Sequence, residues 1–490
     1  GPSRIKMINP HSGKIYEDTN QSAVKKHALR IKEEFMDGAR IRFQVLMPNG
    51  GLSKIFEHEY RKQSVIKSLR ADAGITEVTV TVETDKETGA ALEVSLEKGN
   101  EKKKWSCESH VKSKVHYLSI SGIPAGSKLT GLVSVRWKSK QYVSSLDDRI
   151  YEKKSLVFKT SEPSYKRIFS SPQGDLIKSS PVICESNVLI PCDDGKLYCV
   201  DRHSGRTIWH FQLGSPVHGR PIVKDKKVYV VGRHGLLASL SLSDASLHWK
   251  RKLSLSIPGD LALGEDALYL ASREGTLEKV SLDEGKLIWK NQDASRYYSS
   301  PIVSKTRVFI GDADGRFWSF STKSGKALWS FRTGNRILAP ASTCGDYVIL
   351  PGMDDRLYSI GIKNGVVSWR KTFGSIQGGV KIVEGIQKSK SRLYAAVKGT
   401  EGSLLVCVEV YSGSTIWRTD LSTDVQSKPA VAEGRVYIGG TDGIVYCYSA
   451  IDGFPLWKID TGSEIRGSPT NAGSSSYVAN YHGALIRIED

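Results

Sequence analysis

The chain has 490 residues, of which 39% are hydrophobic and 25% charged, proportions that are ordinary for a globular protein. This length allows roughly two to four domains, and no apolar run approaches the roughly 20 residues that a membrane-spanning helix needs. The 70 Lys and Arg residues outnumber the 52 Asp and Glu residues by 18, which makes nucleic acid, an acidic protein and a membrane surface all candidate partners.

Cysteine usage indicates the compartment. The chain has seven cysteines and no Cys-x-x-Cys pair, which argues against a disulfide framework and against a structural zinc site. We therefore expect a reducing environment and an intracellular location, cytoplasmic or nuclear. Gly1-Pro2-Ser3 resembles the remainder of a cleaved expression tag, so we expect the natural N-terminus to be absent.

The first 75 residues predict a mixed α+β segment without an identifiable family. Apolar residues recur at helical spacing over Ser22–Met36, which predicts an amphipathic helix. Ile41–Pro48 and Ser53–His58 flank Asn49-Gly50, a pattern typical of a β-hairpin. We expect a second helix over Tyr60–Ala71.

Residues 76–163 predict a β-sandwich. Short runs rich in β-branched residues recur through this stretch and predict strands at Val78–Val82, Leu92–Leu96, Val115–Ile120, Leu132–Trp137 and Leu156–Phe158. The stretch is similar to a fibronectin type III domain, and the residues that carry the similarity are Ile120–Gly126, Val133–Val135 and Phe158–Thr160, followed by Glu162-Pro163.

A tryptophan repeat dominates the remainder of the chain. Seven of the ten tryptophans form a series in which five of the six intervals are 40 residues and one is 48. A fixed period of this length is typical of a stacked or radial repeat. A ligand site is seldom repeated seven times around a ring, so the series predicts residues that pack between repeats: Trp209, Trp249, Trp289, Trp329, Trp369, Trp417 and Trp457.

Two glycines and a proline keep the same register. A glycine stands four residues before each Trp except in the second repeat, which has Ala245. Another glycine recurs fourteen residues before the Trp, as in Asp194-Gly195 and Glu274-Gly275, and such pairs favour tight hairpin turns because glycine accepts positive φ. A proline is common twelve residues after the Trp. Four short strands per repeat are the expected result.

These Gly-x-x-x-Trp repeats resemble those of the quinoprotein-like (PQQ-like repeat) β-propeller family over about residues 165–490. They also resemble the propellers of bacterial outer-membrane assembly lipoproteins, whose blades are equally short. The resemblance implies a mainly β fold in which four-stranded blades surround a central channel.

The two ends of the repeat predict eight blades and a closed ring. The last turn glycine is Gly483, so an eighth Trp would fall at position 497, beyond Asp490. Phe169 stands 40 residues before Trp209, and Pro181 follows it by twelve. We therefore expect residues 165–170 to supply the outer strand of the eighth blade, so that the ring has no unpaired edge.

An arginine-rich loop face is the first candidate binding surface. In a four-stranded blade, the loop after the Trp strand and the first hairpin turn lie on the same face. Arginine is enriched among interface anchors, although turns are in general polar. The candidate partner-binding residues on this face are His218, Arg220, Arg233, Arg273, Arg296, Arg316, Arg336, Arg356 and Arg466.

The N-terminal third is the second candidate surface. Residues 1–160 hold 29 basic and 19 acidic residues, a net charge of +10, whereas the other 330 residues carry +8. Such a region is either an ordinary solvated surface or a site for an acidic partner or nucleic acid. Its basic clusters are Arg61, Lys62, Lys67 and Arg70; Lys102, Lys103 and Lys104; and Arg136, Lys138 and Lys140.

The sequence predicts neither catalysis nor a cofactor. Quinoprotein dehydrogenases carry long insertions, a disulfide between adjacent cysteines, and acidic residues that hold calcium. Here the blades are short and no two cysteines are adjacent. Asp312–Gly315 resembles part of a calcium loop but coincides with a repeat turn, so no metal site is predicted.

We therefore expect a non-enzymatic scaffold whose propeller loops bind a protein or peptide. One alternative is a scaffold associated with nucleic acid or chromatin that uses the basic N-terminal domains. The other alternative is a quinone-dependent dehydrogenase.

Overall fold

The structure is a computed structural model. It describes the nine strands between residues 4 and 159 whose bounds are given below, and residues 162–489 except 173, 254, 386, 388–389 and 400–401. The chain divides into two compact units. The first unit consists of residues 1–72, 79–120 and 128–158, and the second of residues 73–78, 121–127 and 159–490. Within the described residues, no helix has the length and apolar character required to span a bilayer.

The first unit contains two described sheets. The four-stranded sheet has the order β2-β1-β3-β4, and the five-stranded sheet has the order β5-β6-β8-β9 with β7 paired to β6. The strands are β1 (Arg4–Ile8), β2 (Ile15–Asp18), β3 (Arg40–Leu46), β4 (Phe56–Glu59), β5 (Ile66–Ala73), β6 (Glu77–Lys98), β7 (Glu101–Ser121), β8 (Lys128–Trp137) and β9 (Arg149–Lys159).

Two sequence predictions in this unit are corrected. The helix expected over Tyr60–Ala71 is wrong from Ile66 onward, because Ile66–Ala73 is the edge strand β5. A short polar segment gains hydrogen-bond partners for its backbone by joining a sheet, whereas an isolated helix of that length is marginal. Val78–Val82 and Leu92–Leu96 are not separate strands, since both belong to the 22-residue β6.

The other predictions for this unit have different outcomes. The strands β3 and β4 pair antiparallel, with Arg40 opposite Glu59, as the predicted hairpin requires. The helix expected over Ser22–Met36 lies outside the described residues. Strands β5 to β9 are linked in one sheet, and the fibronectin type III-like sandwich stays a prediction.

The second unit is an eight-bladed β-propeller, which confirms the predicted fold class. Each blade is an antiparallel four-stranded sheet whose strands follow one another from the channel outward. Blades 1 to 4 contain β11 (Val182–Cys184), β12 (Asn187–Pro191), β13 (Lys196–Asp201) and β14 (Thr207–Gln212); β15 (Ile222–Lys224), β16 (Lys227–Val231), β17 (Leu236–Ser241) and β18 (Leu247–Lys252); β19 (Ala262–Leu263), β20 (Ala267–Ala271), β21 (Leu277–Ser281) and β22 (Leu287–Asn291); and β23 (Ile302–Ser304), β24 (Arg307–Gly311), β25 (Arg316–Ser321) and β26 (Ala327–Arg332).

The remaining blades repeat this plan. The eighth blade combines three C-terminal strands with β10 from the start of the unit. Blades 5 to 8 contain β27 (Ser342–Cys344), β28 (Tyr347–Pro351), β29 (Arg356–Gly361) and β30 (Val367–Thr372); β31 (Val380–Val383), β32 (Arg392–Lys398), β33 (Ser403–Glu409) and β34 (Thr415–Leu421); β35 (Ala430–Ala432), β36 (Arg435–Gly439), β37 (Ile444–Ser449) and β38 (Pro455–Asp460); and β39 (Thr470–Ala472), β40 (Ser475–Ala479), β41 (Ala484–Glu489) and β10 (Ser164–Ser170).

Strand β10 closes the ring by pairing antiparallel with β41, with Tyr165 opposite Ile488. Phe169 occupies the position that a Trp holds in the other blades and is buried at 8% exposure. The centre of its ring lies 5.2 Å from that of Tyr198 in blade 1. Strand β10 therefore pairs with β41 of blade 8 and also packs against blade 1. The first and last blades are thereby held together.

Tryptophan and glycine form the contact between neighbouring blades. The indole N–H of Trp249 in blade 2 donates to the carbonyl of Leu282 in blade 3, at 2.9 Å. Gly285 in the same turn has a φ of +64°, and a Cβ there would lie 2.6 Å from the Trp249 ring. The 33-residue spacing between indole and carbonyl recurs for Trp209, Trp289, Trp329 and Trp417 and becomes 41 residues for Trp369. At Gly285, Gly325, Gly365, Gly413 and Gly453 a side chain would therefore meet the indole of the preceding blade. Blade 2 differs, because Ala245 holds this position at a φ of +60°.

A β-bulge accompanies each tryptophan. In all seven Trp-containing blades the register between the third and fourth strands shifts by one residue directly before the Trp, as between Cys199–Trp209 and Val200–Thr207. The bulged residue turns outward, so Ile208 is 47% exposed while Trp209 is 8% exposed. The bulge directs the indole toward the next blade.

We predict that Gly325→Ala destabilises the propeller more than Gly434→Ala does. Both glycines have similar positive φ, +68° and +73°, so each alanine carries the left-handed backbone cost of about 1–2 kcal/mol. A Cβ at Gly325 would lie 2.6 Å from the Trp289 ring, whereas a Cβ at Gly434 would have no atom within 4 Å. The overpacking adds about 1–3 kcal/mol for Gly325→Ala only. Urea unfolding measures the difference, and equal losses would contradict the packing role.

We also predict that Phe169→Ala weakens ring closure. Removing a buried phenyl ring costs about 3–5 kcal/mol of unfolding free energy. Tyr165→Ala on the same strand is the matched control, because Tyr165 is 57% exposed. Its effect is expected within about 0.5 kcal/mol. Thermal unfolding compares the two variants, and a large loss for Tyr165→Ala would show that the strand itself is intolerant of substitution.

Candidate binding surfaces of the propeller

The loops between blades lie on the same face as the glycine-containing turn between the second and third strands of the following blade, as the sequence predicts. The Arg233 N–H in the turn of blade 2 donates to the carbonyl of Pro216 in the preceding loop at 2.8 Å. The same contact joins Ala313 to Arg296, also at 2.8 Å. These backbone hydrogen bonds fix the loops in a single conformation around the ring.

The residues predicted for this face differ in the exposure of their side chains. Arg233, Arg273, Arg296, Arg336 and Arg356 are exposed on this face, whereas His218, Arg316 and Arg466 are half-buried. Arg220 is exposed into the central channel. The structure therefore separates the predicted residues into a set on the outer face and a set at the channel.

The outer face has a pocket centred on two arginines. Arg296 and Arg336 lie in successive interblade loops, and with Tyr298, Leu338 and Asp314 they line a cavity of about 650 Å³. The Arg273 guanidinium lies 5.5 Å from the centre of the Tyr298 ring, in cation–π geometry. We call this pocket the arginine pocket.

Arg316 and Arg466 are held by their own neighbours. The Arg316 guanidinium lies 5.1 Å from the Trp318 ring, and the Trp318 indole donates to Asp312 at 2.8 Å. Arg466 stacks on Tyr481 at 4.5 Å, and its Nε lies 3.0 Å from Glu464 Oε1. These contacts stabilise the loops and leave these two side chains less available to a partner than Arg296 or Arg336.

The central channel is lined by residues of all eight blades and encloses a cavity of about 930 Å³. Its basic side chains are Lys178, Arg220, Lys381, Lys428 and Arg466, and Asp260 is the single carboxylate among the described lining residues. Lys178 is paired with Asp193 at 2.5 Å and Arg466 with Glu464, both at the channel mouth. The remaining cations are Arg220, Lys381 and Lys428, and the Asp260 carboxylate interacts with Arg220 and Lys428.

Hydrogen bonds between neighbouring blades run along two arcs of this channel. They use the residue eleven positions after the Trp, or after Phe169 in the eighth blade. The backbone N–H of this residue donates to the side-chain oxygen of its counterpart in the next blade, as from Arg220 to Asp260 Oδ1 at 2.7 Å. The same bond joins Asp260 to Ser300, Lys428 to Ser468, and Ser468 to Ser180, at 2.8–2.9 Å. These bonds fix the backbone of Arg220, Asp260 and Lys428 at the wall of the channel.

Sequence reasoning missed Lys178, Asp260, Lys381 and Lys428. The available signal was the position before the proline, since Arg220 precedes Pro221 and Lys428 precedes Pro429. That position is Ser, Arg, Asp, Ser, Pro and Lys in different blades, so no shared residue type marks it. Only the closed ring shows that these side chains meet.

Burial changes the protonation of two channel groups. Burial lowers the pKa of His218, although Asp193, whose Oδ1 lies 2.5 Å from His218 Nε2, acts in the opposite direction. Burial also lowers the pKa of Lys428 to about 8, and the positive charges of Lys381 and Arg220 lower it further while Asp260 raises it. Lys428 is thus a cation held near other cations in a partly desolvated channel.

We predict that Lys428 titrates near pH 8. Competitive acetylation followed by mass spectrometry should give half-maximal labelling of Lys428 at about pH 8. The lysine of an unstructured peptide, in contrast, has a pKa of about 10.4. Lys381→Gln should move the midpoint upward because one of the neighbouring positive charges is gone. Lys323→Gln, on an exposed turn of blade 4, is the control and should leave the midpoint unchanged. A midpoint near the peptide value would contradict this electrostatic environment.

The channel residues do not fit a calcium-held quinone. Such a site needs several acidic ligands for the metal, and Asp260 is the one carboxylate among the described lining residues. No group of three His, Cys, Asp or Glu suited to a metal ion occurs in the part of the chain that the structure describes. We derive no catalytic step through this cofactor.

The basic residues of the first unit lie on several strands. Lys67 and Arg70 belong to β5, Lys102, Lys103 and Lys104 to β7, and Arg136 to β8. The Lys104 side chain is exposed. Arg61, Lys62, Lys138 and Lys140 lie outside the described residues.

Solved structures of low sequence identity share the propeller fold. BamB from Moraxella catarrhalis aligns with a TM-score of 0.56 and 16% identity over 67% of this chain and 98% of that chain. The computationally designed Ika8 protein gives 0.58 and 14% over 66% and 100%. Quinohemoprotein alcohol dehydrogenase from Comamonas testosteroni gives 0.54 and 11% over 66% and 76%. These similarities show the fold alone.

Sequence comparison identifies the family. No curated protein matches the chain. The family model described as outer membrane protein assembly factor BamB matches residues 170–257, 247–399 and 400–490, which is the propeller from its first to its last blade. Through these residues the chain belongs to the outer membrane protein assembly factor BamB family.

Proposed function

We propose that this protein is a non-enzymatic scaffold whose propeller loop face binds a protein or peptide partner through the arginine pocket. The observation that carries the proposal is the arrangement of Arg296 and Arg336 around a cavity of about 650 Å³ beside Tyr298 and Leu338. Arginines next to an aromatic and an aliphatic side chain are the composition typical of interface anchors. The family description, assembly factor, supports the same kind of role.

The charge of the pocket defines the partner's chemistry. Arg273, Arg296 and Arg336 are exposed, and Asp314 is the single acidic side chain among the pocket's described lining residues. An acidic segment with an apolar or aromatic side chain matches both properties, because its carboxylates pair with the guanidinium groups and its apolar side chain covers Leu338. The rigid loops provide this arrangement before binding, which lowers the entropy cost of association.

We predict that Arg296→Glu/Arg336→Glu abolishes partner capture. Affinity chromatography with the intact chain identifies proteins that bind the wild type, and each is then measured in purified form. Reversing two exposed anchors should weaken binding of a true loop-face partner by about a hundredfold. Because both side chains are exposed, the thermal stability of the variant should not change.

The matched control is Arg370→Glu/Arg418→Glu, which reverses two exposed arginines on the outer strands β30 and β34. It changes net charge by the same amount but leaves the loop face intact, so it should keep the partner. A purified partner that binds all three proteins equally would contradict the arginine pocket as the binding site.

The nucleic-acid alternative depends on the charge density of residues 1–160, which carry a net +10. It requires affinity for generic DNA or RNA that falls steeply as salt increases, because released counterions drive such binding. Weak binding that changes little with salt would eliminate it. The dehydrogenase alternative requires a visible chromophore after addition of quinone and calcium, and an unchanged absorbance spectrum would eliminate that activity.

We further propose a reducing compartment. Five cysteines of the propeller are buried free thiols, Cys184, Cys192, Cys199, Cys344 and Cys407. Burial raises the pKa of the Cys184 thiol to about 11, so this cysteine is a packing residue with little thiolate to react.

A further inference from the structure

We infer that the central channel is a binding site for a compact multivalent oxyanion, a small molecule bearing several phosphate or carboxylate groups. This site is separate from the arginine pocket in its residues and in its chemistry. It is built by Arg220, Lys381 and Lys428, whose side chains enter a cavity of about 930 Å³.

The three cations come from different sides of the channel. Lys381 belongs to β31 of blade 6 and Lys428 to the loop before blade 7, whereas Arg220 belongs to the loop before blade 2, three blades further around the closed ring. All three side chains nevertheless line the same cavity, and Lys428 Nζ donates to Ser342 Oγ of blade 5 at 3.4 Å. The positive charges of Lys381 and Arg220 act on Lys428 within this cavity. Asp260 is the one opposing carboxylate among the described lining residues. An excess of positive charge in a partly desolvated space is unfavourable unless an anion accompanies it.

Neutral donors complete the site. The hydroxyl oxygens of Ser180, Ser300 and Ser468 accept backbone N–H groups from neighbouring blades. Because each hydroxyl oxygen is the acceptor in that bond, its own hydrogen can be donated to a ligand. Oxyanions with several charged oxygens use such mixed sets of cations and hydroxyl donors.

The dimensions of the channel favour a small molecule. About 930 Å³ lies within the usual range of small-ligand pockets, roughly 300–1,000 Å³. The backbone N–H groups of Arg220, Asp260, Lys428 and Ser468 are occupied by hydrogen bonds to the next blade. Recognition therefore depends on the side chains, whose positive charges are complementary to the negative charges of a compact ligand.

Isothermal titration calorimetry of the full chain with inorganic tripolyphosphate and with citrate tests this site. Both are compact oxyanions, so either one binding tightly supports the shared chemistry, and the tighter of the two identifies phosphate or carboxylate as the preferred group. Acetate, with a single charge, should bind far more weakly. No heat of binding from either multivalent anion would overturn the proposal.

The test variant is Lys381→Gln/Lys428→Gln, which removes two charges from the channel. Loss of two charge-assisted contacts should weaken binding by about tenfold to a hundredfold or more. The matched control is Lys323→Gln/Lys326→Gln, which removes two exposed lysines from an outer turn of blade 4 and should bind as the wild type does. Equal losses in both variants would show non-specific charge attraction and overturn the site.

Two further measurements separate binding from a structural role. Without ligand, Lys381→Gln/Lys428→Gln should unfold at the same or a higher temperature than the wild type, because a repulsion is relieved. With tripolyphosphate bound to the wild type, the midpoint of Lys428 acetylation should rise above pH 8, since the anion offsets the charges of Lys381 and Arg220 that lower it. An unchanged midpoint at saturating ligand would place the anion elsewhere.

The outcome is independent of the proposed loop-face function. Arg296→Glu/Arg336→Glu leaves Arg220, Lys381 and Lys428 intact and should retain oxyanion binding, whereas the channel variant should retain the protein partner. Failure of one proposal therefore leaves the other testable.

Discussion

The contact between an indole and a glycine backbone is the constraint on which the propeller depends. Six of the seven Trp side chains extend from the outer strand of one blade to a turn of the next and donate their N–H to a carbonyl there. In five of these turns the indole ring covers a glycine at positive φ. A side chain at that glycine would occupy the space of the ring. The contact fixes the distance and angle between blades, and the angle determines how many blades close the circle. Eight blades and a defined channel follow from a repeated local contact.

Closure has an electrostatic consequence. Each blade begins with a short inner strand, and in four blades the backbone N–H two residues before that strand is bonded to the next blade. Cations at this position, or on the inner strand itself, are therefore directed toward the axis and toward each other. Arg220, Lys381 and Lys428 are distant in sequence and do not repel until the ring closes. Closing the ring therefore concentrates positive charge in the channel, and a bound anion can neutralise that charge.

The propeller consequently presents two surfaces of different character. The arginine pocket is open, shallow and bordered by Tyr298 and Leu338, and it suits a segment of another protein. The channel is enclosed by all eight blades and lined by serines and cations, and it suits a compact solute. The BamB-family propeller supplies the rigid frame for both, while the residues that distinguish them lie in loops that the repeat leaves free to vary.

The sequence by itself determined the repeat, the strand order and the closing strand, because the Trp, Gly and Asp-Gly positions are local requirements that recur at a fixed period. It also placed Arg296 and Arg336 on one face, since alternate loops of a blade point the same way. The helix that it predicted is wrong over Ile66–Ala71, where joining a sheet prevails over helical spacing. Only the tertiary structure decided that Arg220, Lys381, Lys428 and Asp260 share one cavity, because their proximity results from closing the ring and no pattern within a single blade encodes it.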